Sequence, residues 1–196
     1  MSPSHQPLKP AVFLDRDGTI NEERGHIFTP EDLAILSGAA TAIRRLNESP
    51  YLTVVVTNQS VIARGKCNEI CMEEIHDRLQ LLIALDGASI DRIYYCPHYP
   101  DKNILGGRED LKIVCDCRKP APGLIIRAAQ DMNIDLSLSW MIGNMTSDIE
   151  AATRAGVRSI LLSNQGSFDN QLSVYPDAKC LDLNDAVKLI LNYPKN

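Results

Sequence analysis

The sequence predicts an α/β fold, a doubly wound parallel sheet with helices on both faces. Short apolar runs alternate along the chain with segments whose apolar residues recur at helical spacing. Repeated strand–helix units of this kind form parallel sheets that are covered on both sides. With 196 residues, of which 44% are hydrophobic, the chain can bury the core that such a domain needs.

The predicted elements follow one another in a regular order. The strands are the apolar runs Ala11–Leu14, Leu52–Val56, Ile93–Cys96, Trp140–Ile142 and Ile160–Leu162. The helices are Gly38–Asn47, Glu69–Leu85, Gly123–Met132, Asp148–Ala155 and Asp182–Leu191. Asn68 is a suitable N-cap for the second helix. One apolar stripe of that helix is expected to face the core, formed by Ile70, Ile75, Leu79, Leu82 and Ile83.

Residues 1–10 are polar and contain proline, which predicts a flexible N-terminal tail before a single domain at 11–196. The tail lacks the apolar segment of a signal peptide, and no apolar run is long enough to cross a bilayer, so a cytoplasmic protein is expected. The formal net charge of −5 disfavours a broad surface for nucleic acid or for membrane. We expect neither as a partner, and we expect a monomer.

The first strand ends in two carboxylates, Asp15 and Asp17, followed by a turn at Gly18. Residues i and i+2 of a strand point the same way, and open parallel sheets bind ligands at the carboxyl ends of their strands. Two such close acids repel each other unless a hard cation such as Mg²⁺ lies between them. The alternative is a strand-ending turn with acids on the surface.

Polar residues also follow the second and fourth strands. Thr57, Asn58, Gln59 and Ser60 could donate hydrogen bonds to phosphate oxygens, and Arg118 with Lys119 could offset the charge of an anion. Arg64 and Lys66 fit this role or plain surface charge equally well. After the fourth strand come Gly143, Asn144 and, four residues later, Asp148.

An irregular segment of about 26 residues runs from Pro97 to Pro122. Compact domains seldom contain so long a loop unless it has a structural or functional role. Cys96 and His98 precede it, and Cys115 and Cys117 lie near its end. Two such pairs flanking a loop are typical of a structural Zn²⁺ site with four protein ligands. The alternative is three reduced cysteines and an unrelated histidine. Of the other histidines, His76 is expected on a helix surface.

Taken in order, Asp15-Arg16-Asp17-Gly18-Thr19, Thr57, Lys119 and Gly143 resemble the four motifs of the haloacid dehalogenase superfamily. The segments FLDRDGTIN, VVVTNQS, IARGK, IYYCPH, CDCRKP and PG are similar to the heptose bisphosphate phosphatases, with histidinol-phosphate phosphatases as near relatives. The resemblance extends from about Ala11 to Leu162. The long stretch between His98 and Cys115 favours the heptose branch over the histidinol branch.

The resemblance implies a capless, Mg²⁺-dependent phosphatase that removes the C7 phosphate of a heptose 1,7-bisphosphate in a pathway toward surface polysaccharide. Asp15 would be the nucleophile that forms an aspartyl-phosphate, and Asp17 the general acid and base. Thr57 and Lys119 would hold the transferred phosphoryl group.

The same resemblance implies the remaining ligands. Mg²⁺ would bind the Asp15 carboxylate, the Asp17 carbonyl and an acid of the fourth motif, and Zn²⁺ would be structural. The residues placed at the sugar phosphate are Glu23, Arg24, Gly25, His26, Asn58, Gln59, Ser60, Arg118 and Met145.

The fourth motif departs from the family, because Asn144 stands where the family has Asp and Met145 where the heptose branch is commonly basic. Val61 replaces a usual glycine. A neutral ligand should weaken Mg²⁺ binding. Three interpretations stay open: Asp148 carries more of the metal binding, the asparagine was introduced to trap a complex, or the protein only binds a sugar phosphate.

Overall fold

The computed structural model describes residues 7–102, 105–163 and 174–194. The strands are β1 (Ala11–Leu14), β2 (Leu52–Asn58), β3 (Arg92–Cys96), β4 (Trp140–Gly143), β5 (Arg158–Leu162) and β6 (Ala178–Cys180). The helices are α1 (Ala39–Asn47), α2 (Glu69–Ala84), α3 (Gly123–Met132), α4 (Thr146–Ala155) and α5 (Leu183–Leu191). The strands form one sheet in the order β3-β2-β1-β4-β5-β6.

All neighbouring strands of the sheet are parallel. Leu14 of β1 pairs with Val55 on one side and with Ile142 on the other. The chain winds from β1 outward to β3, and from β4 it winds outward in the opposite direction to β6. Open α/β sheets bind ligands at such a reversal, at the carboxyl ends of the strands. The predicted doubly wound sheet is confirmed.

Two hydrophobic clusters, one on each face of the sheet, form the core. Val12 and Leu14 pack in the cluster that includes α1, α2 and α5. Ala11 and Phe13 pack in the cluster that includes α3 and α4. Because successive strand residues point to opposite faces, β1 is buried on both sides, which explains why its sequence is apolar without interruption.

Besides shifts of one or two residues at other element ends, such as β5 beginning at Arg158 rather than at Ile160, the structure differs from the predicted elements in three places at the edges of the sheet. The strand β6 was missed because it has only three residues, lies at the sheet edge and has the exposed Lys179 at its centre. The strand β2 continues to Asn58, and α4 begins at Thr146 rather than at Asp148. The last two differences extend regular structure toward the carboxyl edge of the sheet.

The prediction for the start of α2 is confirmed, since the Asn68 side chain accepts a hydrogen bond from the N–H of Cys71 at 2.9 Å. Ile75 and Ile83 of the predicted stripe are fully buried. The prediction is wrong for Ile70, which is 67% exposed. Ile70 lies five residues before Ile75, which places it roughly 140° away around the helix.

Residues 1–6 of the predicted tail lie outside the described residues. Lys9 is tied to the domain: its N–H donates to the Asn133 carbonyl at 3.1 Å, and its own carbonyl accepts from the N–H of Asp135 at 2.9 Å. In the part of the chain that is described, no helix combines the length and the apolar character that crossing a membrane requires.

Candidate active site

A pocket of about 240 Å³ opens at the carboxyl ends of β1, β2 and β4. The predicted site residues that line it are Asp15, Asp17, Glu23, Gly25, His26, Thr57, Asn58, Gln59, Ser60, Arg118, Lys119, Met145 and Asp148. Ile27, Val61 and Ser147 complete the lining. The sequence motifs therefore converge on one cavity, although they come from five separate segments of the chain.

The Lys119 ammonium lies at the centre of the charged groups. It is 2.8 Å from Asp15 Oδ1, 2.6 Å from Asp148 Oδ1 and 2.8 Å from the Val56 carbonyl. Burial acts to lower the pKa of Lys119, but the charges of Asp148 and Asp15 outweigh it, so the pKa is raised. The amine therefore remains a cation at the base of the pocket.

Asp15 is buried, and burial is the main reason that its pKa is raised to about 7. The Lys119 charge opposes this shift, whereas the nearby Asp148 and Asp17 carboxylates add to it. Lys119 occupies Oδ1, and no described residue donates a hydrogen bond to Oδ2. One carboxylate oxygen is thus held in place while the other is accessible for chemistry.

Asp17 has the opposite electrostatics. Its carboxylate accepts hydrogen bonds from Arg16 Nε and Nη2 at 3.0–3.1 Å, from Asn21 Nδ2 at 2.8 Å and from Gln59 Nε2 at 2.8 Å. Burial acts to raise the pKa of Asp17, but the charge of Arg16 and these hydrogen bonds outweigh it, so the pKa is lowered. The two neighbouring carboxyl groups therefore differ in pKa, which is raised for Asp15 and lowered for Asp17.

Arg16 was missed as a site residue. It is fully buried and donates to Gln59 Oε1 at 3.0 Å, and its Nη1 lies 3.4 Å from His76 Nε2. The expectation of a surface position for His76 is wrong, because its ring packs against Arg16 and Tyr95. No spacing signal could show this contact, since the two residues belong to different elements.

The segment after β2 positions other groups of the site. Gln59 Nε2 donates to Thr57 Oγ1 at 2.9 Å as well as to Asp17. The Asn58 side chain accepts from the Lys119 N–H and donates to the Lys119 carbonyl, both at 3.0 Å. The amides of Asn58 and Gln59 are thus engaged by protein groups, and they fix Lys119 and Asp17 in the pocket.

Asn144 lies directly after β4 and is 2% exposed. Neither its amide nitrogen nor its amide oxygen has a hydrogen-bond partner, and its side chain fills the space where Gly18 would carry a Cβ. A buried amide normally has hydrogen-bond partners, so the unpartnered Asn144 amide indicates that a bound group belongs beside it. Its oxygen, the Asp15 carboxylate and the Asp17 carbonyl make an oxygen donor set of the kind that Mg²⁺ prefers. The residues present therefore fit the metal that the family implies.

Asp148 is placed differently from Asn144. It is 1% exposed; Oδ1 lies against Lys119, and Oδ2 accepts the Met145 N–H at 3.0 Å. Oδ2 is thus hydrogen-bonded, whereas Oδ1 has the Lys119 ion pair but is among the buried oxygens without a hydrogen bond in the described part of the chain. Asp148 therefore contacts both the Lys119 ammonium and the backbone at the start of α4.

The segment from Glu23 to His26 borders the pocket with three of its four residues. Glu23 Oε1 accepts the Gly25 N–H at 2.8 Å, and burial raises the Glu23 pKa. Arg24 does not line the pocket, because its guanidinium pairs with Glu22 at 2.8 Å and donates to the Asp32 carbonyl. The contacts of the Arg24 side chain are thus with neighbouring residues of the chain and not with the pocket.

The structure brings together the four residues of the predicted zinc loop, beside the pocket. Ligand atoms of Cys96, His98, Cys115 and Cys117 all lie within 4.8 Å of one another and could hold a metal ion. The three sulfurs are 3.2–3.6 Å apart, and all three cysteines are free. Hydrogen bonds with Cys96, Cys115 and His98 lower the pKa of Cys117 to about 5, whereas the hydrogen bond with Cys117 and burial raise the pKa of Cys96, and burial raises that of Cys115.

Known proteins with similar sequences are phosphatases. Residues 116–186 match the family model described as HAD-hydrolase-like. Over 157 residues, the chain is 41% identical to the D-glycero-beta-D-manno-heptose-1,7-bisphosphate 7-phosphatase of Salmonella typhi, covering 80% of this chain and 81% of that protein. It is 40% identical to the enzyme of the same name from Escherichia coli K12, covering 80% of each chain.

Solved structures show the same relationship. The D,D-heptose 1,7-bisphosphate phosphatase from B. bronchiseptica, complexed with magnesium and phosphate, has a TM-score of 0.81 and 30% identity, and the match covers 94% of this chain and 99% of that chain. A putative HAD-like phosphatase from Mesorhizobium loti has a TM-score of 0.81 and 29% identity, covering 97% and 90%. The chain belongs to the D-glycero-β-D-manno-heptose-1,7-bisphosphate 7-phosphatase family of the haloacid dehalogenase superfamily.

Proposed function

We propose that this protein hydrolyses the C7 phosphate of D-glycero-D-manno-heptose 1,7-bisphosphate through an aspartyl-phosphate, in a pathway that supplies heptose for surface polysaccharide. The observation that carries the proposal is Asp15, with one oxygen held by Lys119 and the other exposed to the pocket. Magnesium bound at Asp15, the Asp17 carbonyl and Asn144 would offset the charge of the phosphate and orient it for attack.

In the first step, the free oxygen of Asp15 attacks phosphorus, and the bond from phosphorus to the C7 oxygen breaks. Lys119 stabilises the charge on the phosphoryl oxygens, and Thr57 is placed to donate to one of them. Asp17 gives its proton to the leaving C7 oxygen. Because Arg16 favours the ionised form of Asp17, we infer that this carboxyl moves away from Arg16 when the sugar enters.

In the second step, water attacks the phosphorus of the aspartyl-phosphate. Asp17, now ionised, accepts a proton from that water. Its hydrogen bonds to Arg16 and Gln59 stabilise the carboxylate that performs this step. The bond between phosphorus and the Asp15 oxygen breaks, which releases phosphate and restores Asp15.

Phosphate release tests the proposal directly. With Mg²⁺ present, we expect faster turnover of heptose 1,7-bisphosphate than of histidinol phosphate. Faster turnover of histidinol phosphate would assign the protein to the related histidinol branch instead. No turnover of either compound, together with retained binding of the bisphosphate, would support the second candidate, a sugar-phosphate-binding protein. The observation that favours this candidate is the neutral Asn144 at the metal site.

Asn144→Asp is expected to raise the affinity for Mg²⁺ by roughly tenfold or more, because a carboxylate binds this hard cation better than an amide does. Calorimetric titration with Mg²⁺ measures the change without any need for turnover. Asn192→Asp, an added carboxylate on the far end of α5, is the control for net charge. Unchanged affinity in Asn144→Asp would exclude residue 144 as a metal ligand.

The role of Asp148 can be separated by a double-mutant cycle. Both of its oxygens are engaged by Lys119 and Met145, so we expect Asp148→Asn to leave the effect of Asn144→Asp on Mg²⁺ affinity unchanged. If Asp148 instead shares the ion with residue 144, Asp148→Asn should cost far more affinity in the wild-type background than in the Asn144→Asp background.

We further propose that Cys96, His98, Cys115 and Cys117 hold a structural Zn²⁺. Cys115→Ser should lose the metal and destabilise the fold by about 3 kcal/mol or more, lowering the Tm by roughly 6–12 °C. Elemental analysis and thermal melting measure the two effects. Cys180→Ser, outside the cluster, should keep both values. Purified protein without zinc, melting at the same temperature as Cys115→Ser, would contradict the proposal.

A further inference from the structure

The ring of Tyr99 brings two guanidinium groups together at the edge of the pocket. Its centroid lies 4.3 Å from Cζ of Arg64 and 5.0 Å from Cζ of Arg118. Both distances are within the range of cation–π attraction. Two like charges otherwise repel each other, and the negative face of an aromatic ring offsets part of that repulsion. One ring thus connects the segment after β2 to the segment before Lys119.

Among the described residues, no carboxylate neutralises the two guanidinium groups. In the described part of the chain, neither Arg64 nor Arg118 forms an ion pair. Arg118 Nη1 donates to the His98 carbonyl at 3.1 Å, and Arg64 Nε donates to Ser60 Oγ at 3.4 Å. Both partners are neutral acceptors. The pair therefore presents two positive charges beside a pocket that Arg118 and Ser60 line.

Tyr99 is itself held in place by the loop that contains the Cys/His cluster. It follows His98 directly, and its N–H donates to the Leu111 carbonyl at 3.1 Å. The loop also packs tightly against the residues around Arg64: Arg108 N–H donates to the Ala63 carbonyl at 2.9 Å, and a Cβ on Gly65 would lie 2.8 Å from the Cα of Gly107. The position of the ring is therefore fixed from two sides.

We propose that Tyr99 is a positioning residue, whose ring holds Arg64 and Arg118 as one dicationic site for the phosphate of the substrate that is not transferred. The inference rests on the proposed function, because that function supplies a substrate with a second phosphate. Asp15 and Lys119 act on the first phosphate, and the arginine pair binds the other. The ring contributes by geometry and does not touch the reacting atoms.

Binding measurements in an Asp15→Asn background test this role without turnover. Tyr99→Leu should weaken binding of heptose 1,7-bisphosphate by about 5- to 30-fold, which is the loss expected for two cation–π contacts. It should change the affinity for inorganic phosphate by less than about twofold, because that ligand occupies only the Lys119 site. Tyr99→Phe keeps the ring and should restore the bisphosphate affinity.

Two further variants complete the test. Tyr193→Leu removes a ring that lies 4.9 Å from Arg158, at the opposite edge of the sheet, and should leave both affinities unchanged. Arg64→Met lies outside the cysteine cluster; it should weaken bisphosphate binding and reduce the additional effect of Tyr99→Leu. Zinc analysis of each variant shows whether the loop is intact.

The proposal is overturned if Tyr99→Leu with zinc retained binds the bisphosphate as tightly as its parent, or weakens both ligands equally. It is also overturned if Arg64→Met has no effect on bisphosphate binding, a result that does not depend on the stability of the loop. Failure of the proposed function looks different: the wild-type chain would then release no phosphate from the bisphosphate, whatever the binding data show.

Discussion

Asp15→Asn is expected to reduce turnover of heptose 1,7-bisphosphate by at least roughly 10⁴-fold, the scale of loss when a covalent nucleophile is removed. An amide has no charged oxygen with which to attack phosphorus. The change also removes one of the two carboxylates that hold the Lys119 ammonium, although Asp148 still pairs with it at 2.6 Å. The variant should therefore fold, and at saturating Mg²⁺ it should still bind phosphate.

The measurement is phosphate release under saturating Mg²⁺, combined with mass analysis of the protein after rapid acid quenching. Wild-type protein should carry a phosphoryl group on Asp15, and the variant should not. Asp177→Asn is the control, since Asp177 accepts the Ser159 N–H at 2.7 Å on the same sheet but far from the pocket. Full activity in Asp15→Asn would refute the aspartyl-phosphate mechanism.

The sequence was sufficient to predict where the pocket forms. The strands β1, β2 and β4 are buried on both faces, so their apolar runs are visible without a structure, and polar residues begin where the runs end. Parallel pairing then places Asp15, Thr57 and Asn144 at one edge. The four metal-binding candidates around Cys96 were predictable for a similar reason, because their spacing reflects a local geometry.

Contacts between distant segments could not be predicted in this way. The pairing of Asn58 with the Lys119 backbone joins residues 61 positions apart, and that of Arg16 with Gln59 joins residues 43 positions apart. Neither involves a motif with its own spacing. The same limit hid the burial of His76 and the pairing of Asp148 with Lys119. A contribution of Asp148 to metal binding stays a prediction.

These long-range contacts explain why the departure at Asn144 need not disturb the rest of the site. Asp148 holds Lys119 and the start of α4, and Gln59 holds Asp17, without contribution from Asn144. In the proposed site, the asparagine therefore affects the metal position alone. The proposed site then has a weak metal position, while the groups that contact the phosphoryl group are in place. One carboxylate at position 144 should therefore recover the affinity for Mg²⁺.

Lys119→Met is expected to lower kcat/KM by roughly 10³-fold or more, because in the proposed mechanism the buried ammonium is the main protein cation at the transferred phosphate. It should also destabilise the fold by about 3–5 kcal/mol, since Asp15 and Asp148 would lose the charge that compensates their burial. Lys112→Met, which removes another buried lysine with a carboxylate partner 2.5 Å away, controls for the loss of an ammonium outside the pocket.

The two effects of Lys119→Met can be separated by a second change. Adding Asp148→Asn removes one of the two buried carboxylates, so the double variant should melt at a higher temperature than Lys119→Met alone. The turnover of the double variant should stay as low as that of Lys119→Met, because the cation that would contact the phosphate is still missing. Thermal melting and phosphate release measure the two outcomes on the same samples. If activity returned together with stability, Lys119 would serve only to neutralise its carboxylate neighbours, and stabilisation of the phosphoryl group would have to come from elsewhere in the pocket.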